Sequence, residues 1–415
     1  MSDGAAIELA AVDERLRAVF QAVTAVSEPF DGVYLVGGTV RDLLLGEPSF
    51  DVDLAAEGDA IALARALADR LGGSVQPHER FGTAVVLYGE SARVDVVTAR
   101  SEAYEAPAAL PTVEPGSIRD DLFRRDFTIN AIAISLKPED LGRLVDPFEG
   151  RRDLEAQTVR VLHDRSFADD PTRILRAVRY ESRYGFRMDE HTLALAEDAV
   201  VRGLVGELSG ARLREELVVL LEEEERERSL LRLAELGLDR ALHPRLAADD
   251  EAVALLGRLE ALRDRYRLPV PSWRLGLAAL ARRLAPDDAR EWLAGLKLRR
   301  RDADAIAAAV SAGPALAERL REATDPAEIV SLADRYPPDA PLFALGLADL
   351  PQLRAYFERL RDVRLEVDGA DLARLGLEES PRVGEVLAEL RRRKLNGELD
   401  GRDSELAAAR ELIAS

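Results

Sequence analysis

The chain has 415 residues, a formal net charge of −20 and no cysteine. That length supports about two to four domains, and the missing cysteines exclude a disulfide framework, a thiolate metal site and a cysteine nucleophile. The acidic balance weakens a nucleic-acid partner only as a whole-molecule sum, because a local basic stripe can still steer a polyanion.

The opening segment, MSDGAAIELAAVDERL, is acidic, lacks a charged start followed by an apolar stretch, and is followed by no long apolar run. Both features point to a soluble cytoplasmic protein with no membrane partner. Residues 1–30 predict a helix with Ile7, Leu9, Val12, Leu16, Val19 and Phe20 inward, ending near Pro29. Val33 to Val36 then reads as a short strand that stops at Gly37 and Gly38, and Thr39 to Leu45 has helical spacing up to Gly46. Such a turn aims the free N–H groups of a first helical turn at an anion, for instance a triphosphate. Phe50 to Leu54 alternates, so Phe50, Val52 and Leu54 face a core while Asp51 and Asp53 share the other face. Neighbouring carboxylates repel, and a divalent cation with oxygen ligands, magnesium above all, is the readiest way to hold them. Nucleotidyl transfer is therefore the leading reading, against a solvated edge strand with harmless acids.

A helix follows over Asp59 to Leu71, stopped by Gly72-Gly73, and then strands over Thr83 to Tyr88 and Arg93 to Val97. Asp95, between Val94 and Val96, needs a partner that a metal would supply. Glu102 to Ser117 carries Pro107, Pro111, Pro115 and Gly116 and reads as a mobile loop. Arg124-Arg125-Asp126-Phe127-Thr128-Ile129-Asn130-Ala131 is a dense polar cluster running into apolar Ile132 to Leu136, and Asp146 to Gly150 is a turn. His163-Asp164 stands apart from the other histidines, His78, His191 and His243, which disfavours a metal phosphohydrolase.

Beyond residue 155 strand signals fade. Asp169-Asp170-Pro171-Thr172-Arg173 has the form of a helix start. Arg173, Arg176, Arg179, Arg183 and Arg187 then share one helical face, either solvated or set for phosphates. Helical spacing continues at Leu213 to Leu221, Ser229 to Leu236, Val253 to Leu262, Trp273 to Leu284 and Ala289 to Leu296, with Glu222 to Glu225 as an exposed helical turn. Pro326, Pro337, Pro338 and Pro341 mark a linker, and the last part holds short helices with a basic spot at Arg391 to Lys394.

Four ordered motifs, Gly37-Gly38-Thr39-Val40-Arg41-Asp42, Asp51-Val52-Asp53, Arg124 to Ala131, and Asp169 to Arg173, together resemble the class II, bacterial-type tRNA nucleotidyltransferase and poly(A) polymerase family, which includes the CCA-adding enzymes. The resemblance extends through Val367-Asp368-Gly369-Ala370-Asp371-Leu372 and the Gly397 region. It implies an α+β nucleotidyltransferase head of the DNA polymerase beta-like kind with a mixed sheet, followed by all-α neck, body and tail. The expected bounds are 1–138, 139–205, 206–325 and 326–415.

The resemblance also implies roles. Asp51 and Asp53 match the magnesium carboxylates, with Asp95 as the third acid, and Gly37 and Gly38 match the triphosphate turn, supported by Arg41 and Asp42. Arg125 and Asp126, with Asn130 nearby, sit where the ribose is read; Asp170 and Arg173 match the pair that reads the base, with Arg176 and Arg179 continuing the nucleotide side. Asp169 stands where the family commonly has glutamate. The expected substrates are tRNA, CTP and ATP, with CMP and AMP added to the RNA 3′ end and pyrophosphate released. The segment from Glu102 to Pro111 is less basic than a full CCA enzyme leads one to expect, which keeps CC-only and A-only addition open. A poly(A) polymerase and an RNA-binding protein without catalysis are the further alternatives.

Overall fold

A computed structural model describes residues 13–47, 51–106, 108–109 and 111–414. The chain divides into two compact units, 1–208 and 209–415. Ile7, Leu9, Val12, Phe50 and Pro107 of the expectations above lie outside the described residues.

The first unit starts with α1 (Glu14–Val26), capped by Asp13, and enters the sheet with β1 (Gly32–Val36), α2 (Gly38–Leu45) and β2 (Val52–Glu57). Next come α3 (Ala60–Leu71), β3 (Ser74–His78), β4 (Thr83–Tyr88) and β5 (Ala92–Thr98). The seven-stranded sheet is completed by β8 and β9 and has the order β3-β4-β5-β2-β1-β8-β9. Between β5 and β8 lie β6 (Arg100–Ala103), β7 (Thr112–Pro115) and α4 (Ile118–Phe123); β8 is Ala133–Ser135 and β9 is Leu144–Val145. Every pairing is antiparallel except β2 with β5, where Asp53 stands opposite Asp95. Under the sheet, Ile118 and Leu122 of α4 pack on Val36, Ala55 and Ala133.

After the sheet come α5 (Gly150–Glu155), β10 (Thr158–Val159), α6 (Ser166–Asp169), α7 (Thr172–Tyr184), β11 (Arg187–Met188) and α8 (Glu190–Val201). The expected neck is thus not all helical, since β10 pairs with β11 in parallel. Arg187 leaves the expected arginine helix, because α7 ends at Gly185 in the left-handed region. The loop expected over 102–117 contains the β6–β7 ribbon, which brings Ser101 opposite Glu114. The unforeseen β3 is a mostly exposed outer strand whose polar sequence SVQPH, with a proline, hides its pairing with β4.

The second unit is helical among the described residues. It contains α9 (Gly210–Glu222), α10 (Arg226–Glu235), α11 (Leu238–Leu242), α12 (Asp250–Arg265), α13 (Ser272–Ala281) and α14 (Pro286–Gly295). These are followed by α15 (Arg300–Glu322), α16 (Pro326–Ala333), α17 (Asp339–Leu347), α18 (Pro351–Ala355), α19 (Gly369–Arg374), α20 (Pro381–Leu395) and α21 (Gly401–Ala414).

Three expectations are corrected here. The acidic run after α9 is a break between helices, since the helix stops at Glu222 and the next starts at Arg226. The prolines read as a linker open helices instead. Pro326 takes the first position of α16, where a missing N–H costs nothing, and Pro341 lies buried in the first turn of α17. The basic spot is also largely neutralised: Arg392 and Arg393 share Glu389, and Lys394 is held by Glu405. No helix among the described residues is long and apolar enough to cross a membrane.

One close approach positions the polar cluster. A Cβ on Gly150 would lie 2.1 Å from the Thr128 carbonyl oxygen and 2.7 Å from Ile132 Cγ1, so α5 begins pressed against the Thr128–Asn130 turn. Gly150→Ala should force that turn to move and lower unfolding free energy by roughly 1–3 kcal/mol. A urea titration followed by circular dichroism checks this, and an unchanged midpoint would contradict it.

Candidate active site

The glycine turn is built as the sequence predicts. Gly37 has φ +76° and opens α2 without a side-chain cap, leaving the first backbone N–H groups of the helix facing outward. A Cβ at this position would lie 3.2 Å from Arg125 Nη1 and 3.3 Å from Asp53 Oδ2. Only a residue with no side chain lets this guanidinium and this carboxylate close on the turn together. Thr39 Oγ1 donates to the Asp51 carbonyl, which pins the start of the acidic segment to α2.

Asp53 is half-buried, and its withdrawal from water, then Asp51 and then Asp95, push its carboxyl up to about 6 despite Arg125 and Arg93. Loss of water and unneutralised neighbouring acids together raise it, and an all-oxygen donor set of this kind fits a divalent cation. Asp95 is in register with Asp53, but its carboxylate is taken by Arg93. Among the described residues no three acidic or histidine side chains converge into a ready metal cluster. Asp95 is open to a cation only if it leaves Arg93.

A second group of expected residues forms one buried network. Asp126 accepts from its neighbour's Phe127 N–H at 2.8 Å, from Asn130 Nδ2 at 2.8 Å and from Arg176 Nε at 2.8 Å. Asn130 Oδ1 accepts from Arg41 Nη1 at 2.7 Å, and Arg41 Nε and Nη2 both reach Asp42 Oδ1. Arg41 is buried and lies over the rings of Tyr180 and Tyr184, at 5.3 and 4.8 Å. Its guanidinium is thus spent on positioning. Burial would raise the Asp126 carboxyl, but Arg176 and Asn130 outweigh it and hold it down to about 2.

The arginine face grades from inside to outside. Arg173 is buried and donates to Ser166 Oγ at 2.8 Å and to the Arg124 carbonyl at 2.7 Å. Arg179 is half-buried over Tyr180, and its Nε has no hydrogen-bond partner among the described residues. Arg183 and Arg187 are exposed. Asp170 Oδ1 accepts from the Thr172 N–H and Oγ1, which fixes the carboxylate at the start of α7. Asp169 is engaged by Arg165 at 3.0 Å. His163 does not pair with Asp164, which contacts His191 at 2.9 Å instead.

Sequence reasoning passed over Asp121. This buried carboxylate accepts from Arg124 Nη2 at 2.8 Å and from Arg125 Nη2 at 2.9 Å, so it sets both arginines. The signal was present in its spacing, three and four residues ahead of them on a helix. Glu102, which takes Arg124 Nη1 at 3.1 Å, and Tyr180 and Tyr184 carried no comparable mark.

A mixed sheet bearing acids on adjacent strands beside a glycine–helix turn, with a largely helical remainder, defines a nucleotidyltransferase of the polymerase-head kind. Residues 33–160 match the model described as "Poly A polymerase head domain", and residues 185–250 match "Probable RNA and SrmB- binding site of polymerase A". The A-adding tRNA nucleotidyltransferase of Geobacter sulfurreducens is 36% identical over 398 residues, covering 92% of this chain and 45% of its own. The CC-adding tRNA nucleotidyltransferase of Deinococcus radiodurans is 31% identical over 383 residues, covering 92% of this chain and 89% of its own. The solved Thermotoga maritima CCA-adding enzyme complexed with tRNA_CCA has a TM-score of 0.80 at 31% identity, over 100% of this chain and 99% of that one. The chain belongs to the tRNA nucleotidyltransferase and poly(A) polymerase family. It spans half or less of the length of the A-adding relatives it matches. The nucleotidyltransferase family generally uses divalent metal ions.

The depressed Asp126 carboxyl gives a pH signature. Its folded value of about 2 lies below the ordinary 3.8, so its clasp contributes fully above about pH 4 and is lost as the pH falls toward 2. Asp126→Asn should remove about 2 kcal/mol of that contribution at neutral pH. The difference from wild type should shrink between pH 4 and 2 in urea titrations, and a gap that stays constant would refute the assignment.

Proposed function

We propose that the protein adds nucleotides to the 3′ end of tRNA without a template, using ATP or CTP in the cytoplasm and releasing pyrophosphate. Residues 1–138 act as catalytic head, 139–205 as the base-reading neck, and 206–325 and 326–415 as RNA-binding body and tail. The observation that carries this reading is the convergence of the half-buried Asp53 carboxylate and the Arg125 guanidinium on the Gly37 turn.

The turn and the first N–H groups of α2 bind the triphosphate, with Arg125 pairing its charge. Asp126, set by Asn130 and Arg176, reads the ribose hydroxyl. For the base, an ionised aspartate only accepts hydrogen bonds and an arginine only donates. Asp170 therefore suits the amines of cytosine N4 and adenine N6, and Arg173 suits their ring nitrogens; uracil and guanine present a carbonyl to the carboxylate. Each buried mismatch costs roughly 1–3 kcal/mol, enough to exclude the wrong base when two occur together. Asp51 and Asp53, with Asp95 once it leaves Arg93, would hold magnesium, which would supply activation of the attacking 3′-hydroxyl and charge neutralisation on the departing pyrophosphate.

Among the specificities within the family, addition of the terminal A is favoured. An A-adding relative is 47% identical over 212 residues, against 37% over 237 residues for a CC-adding one. Complete CCA addition is the second reading, resting on the fold shared with the CCA-adding enzymes.

Purified protein with magnesium, labelled ATP or CTP, and tRNA transcripts ending before CCA, after C or after CC should extend the CC-ended transcript with AMP alone. Extension of all three would support full CCA addition, and incorporation on none would leave RNA binding without catalysis. Asp53→Ala should slow transfer roughly a thousand-fold, equivalent to about 4 kcal/mol of transition-state stabilisation, with tRNA affinity unchanged. A variant that still turns over at the wild-type rate would remove Asp53 from the chemistry.

A further inference from the structure

One aromatic cluster of the first unit has no part in the chemistry above. Phe123, at the end of α4, is 46% exposed, although a large apolar ring in water is unfavourable. Its ring lies 5.2 Å from that of His163 and 5.7 Å from that of Phe148, tilted by 39° and 40°. On the far side Arg119 stands over Phe148 at 5.4 Å. Phe123 and His163 open into a cavity of about 630 Å³ that Tyr104, Arg124 and Arg173 also line.

The arginines in this cavity face acids: Asp120, which takes the Ser117 hydroxyl, and Asp164, which contacts His191, line it beside Glu102 and Asp169. Glu102 accepts from Arg100, Arg124 and Tyr104, and Asp169 is held by Arg165. Burial and Arg173 lower the His163 pKa, so the ring is neutral at physiological pH. An aromatic-walled space with four acids in its lining suits a nucleobase better than a phosphate. Its place says which base. Arg173 lines it and Asp170 does not, so it adjoins the base-reading pair without coinciding with it. Arg124, on its wall, shares the Asp121 carboxylate with Arg125, whose Nη1 reaches the Gly37 turn. The nucleotide that must lie next to an incoming triphosphate, within reach of its α-phosphorus, is the last one of the acceptor.

We propose that Phe123 and His163 form a stacking site for the terminal base of the single-stranded RNA 3′ end that is to be extended. The inference rests on the nucleotidyltransferase reading and adds the acceptor's subsite to it. The site positions the strand whose 3′-oxygen attacks and touches no reacting atom.

The test uses the full-length protein and an acceptor minihelix whose 3′ end carries 2-aminopurine in place of the last C of CC, read by fluorescence without turnover. Wild type should quench the probe, and Phe123→Ala should abolish the quench. In the extension assay on the unlabelled CC-ended acceptor, that variant should raise the KM for acceptor about ten-fold, within the range expected for one stacked base, and leave the KM for ATP unchanged. Phe123→Trp should restore both. Because Phe123 is exposed, these variants keep the fold, and His163→Phe, which keeps the ring, should behave as wild type. A rise in the KM for ATP instead would place the incoming base there and overturn the proposal, as would no change in either KM or an unquenched probe. Wild-type protein that quenches the probe yet extends no RNA would instead strike at the nucleotidyltransferase reading alone.

Discussion

The first unit depends on one buried anion. A carboxylate withdrawn from water costs several kcal/mol unless donors surround it, and Asp126 meets that cost with a backbone N–H, the Asn130 amide and the Arg176 guanidinium. The consequence is geometric as much as energetic. Asn130 passes the connection to Arg41, Arg41 to Asp42, and Tyr184 closes the circuit with a 3.2 Å contact to Asp42. The segment after α4, the first turns of α2 and the helix α7 are thereby held as one body. Arg125, adjacent to Asp126 in the chain, is aimed at the glycine turn by Asp121 from one side and by this clasp from the other.

The charge distribution follows the same logic. A net charge of −20 sits uneasily with RNA, yet many of the acids are committed to arginines within the fold, as with Asp121, Asp126 and Asp371. Along α7 the arginines go from buried at Arg173 to exposed at Arg183, so one helix supplies positioning at its start and open positive charge at its end. The acidic total therefore does not measure the local potential that a polyanion meets.

Strand, glycine turn and helix were legible at 32–46 because glycine and apolar runs punctuate that stretch. So were β4 and β5, with their β-branched residues. What escaped did so for identifiable reasons. β3 is polar because it is exposed on the outside of the sheet, and α15 is rich in alanine, with too few large side chains to announce a face. Proline marks a helix's first turn as readily as its end, so Pro326 and Pro341 pointed either way. The site residues were visible as types, but their partners were not. Whether Arg176 faces water or a carboxylate depends on Asp126, fifty residues earlier, and no local periodicity carries that information.

The single parallel pairing in the seven-stranded sheet separates the acidic residues into two bodies of sequence. Parallel neighbours require a crossover, and here it consists of α3 and of β3 and β4, which extend the sheet to its edge. The tight turn inside that crossover at Glu79–Gly82 lies at the far end of β5 from Asp95, outside the ladder that sets Asp53 beside it. Residues inserted at that turn would enlarge the periphery while leaving the reacting end untouched, so this architecture can gain new outer surface in evolution without retuning its chemistry.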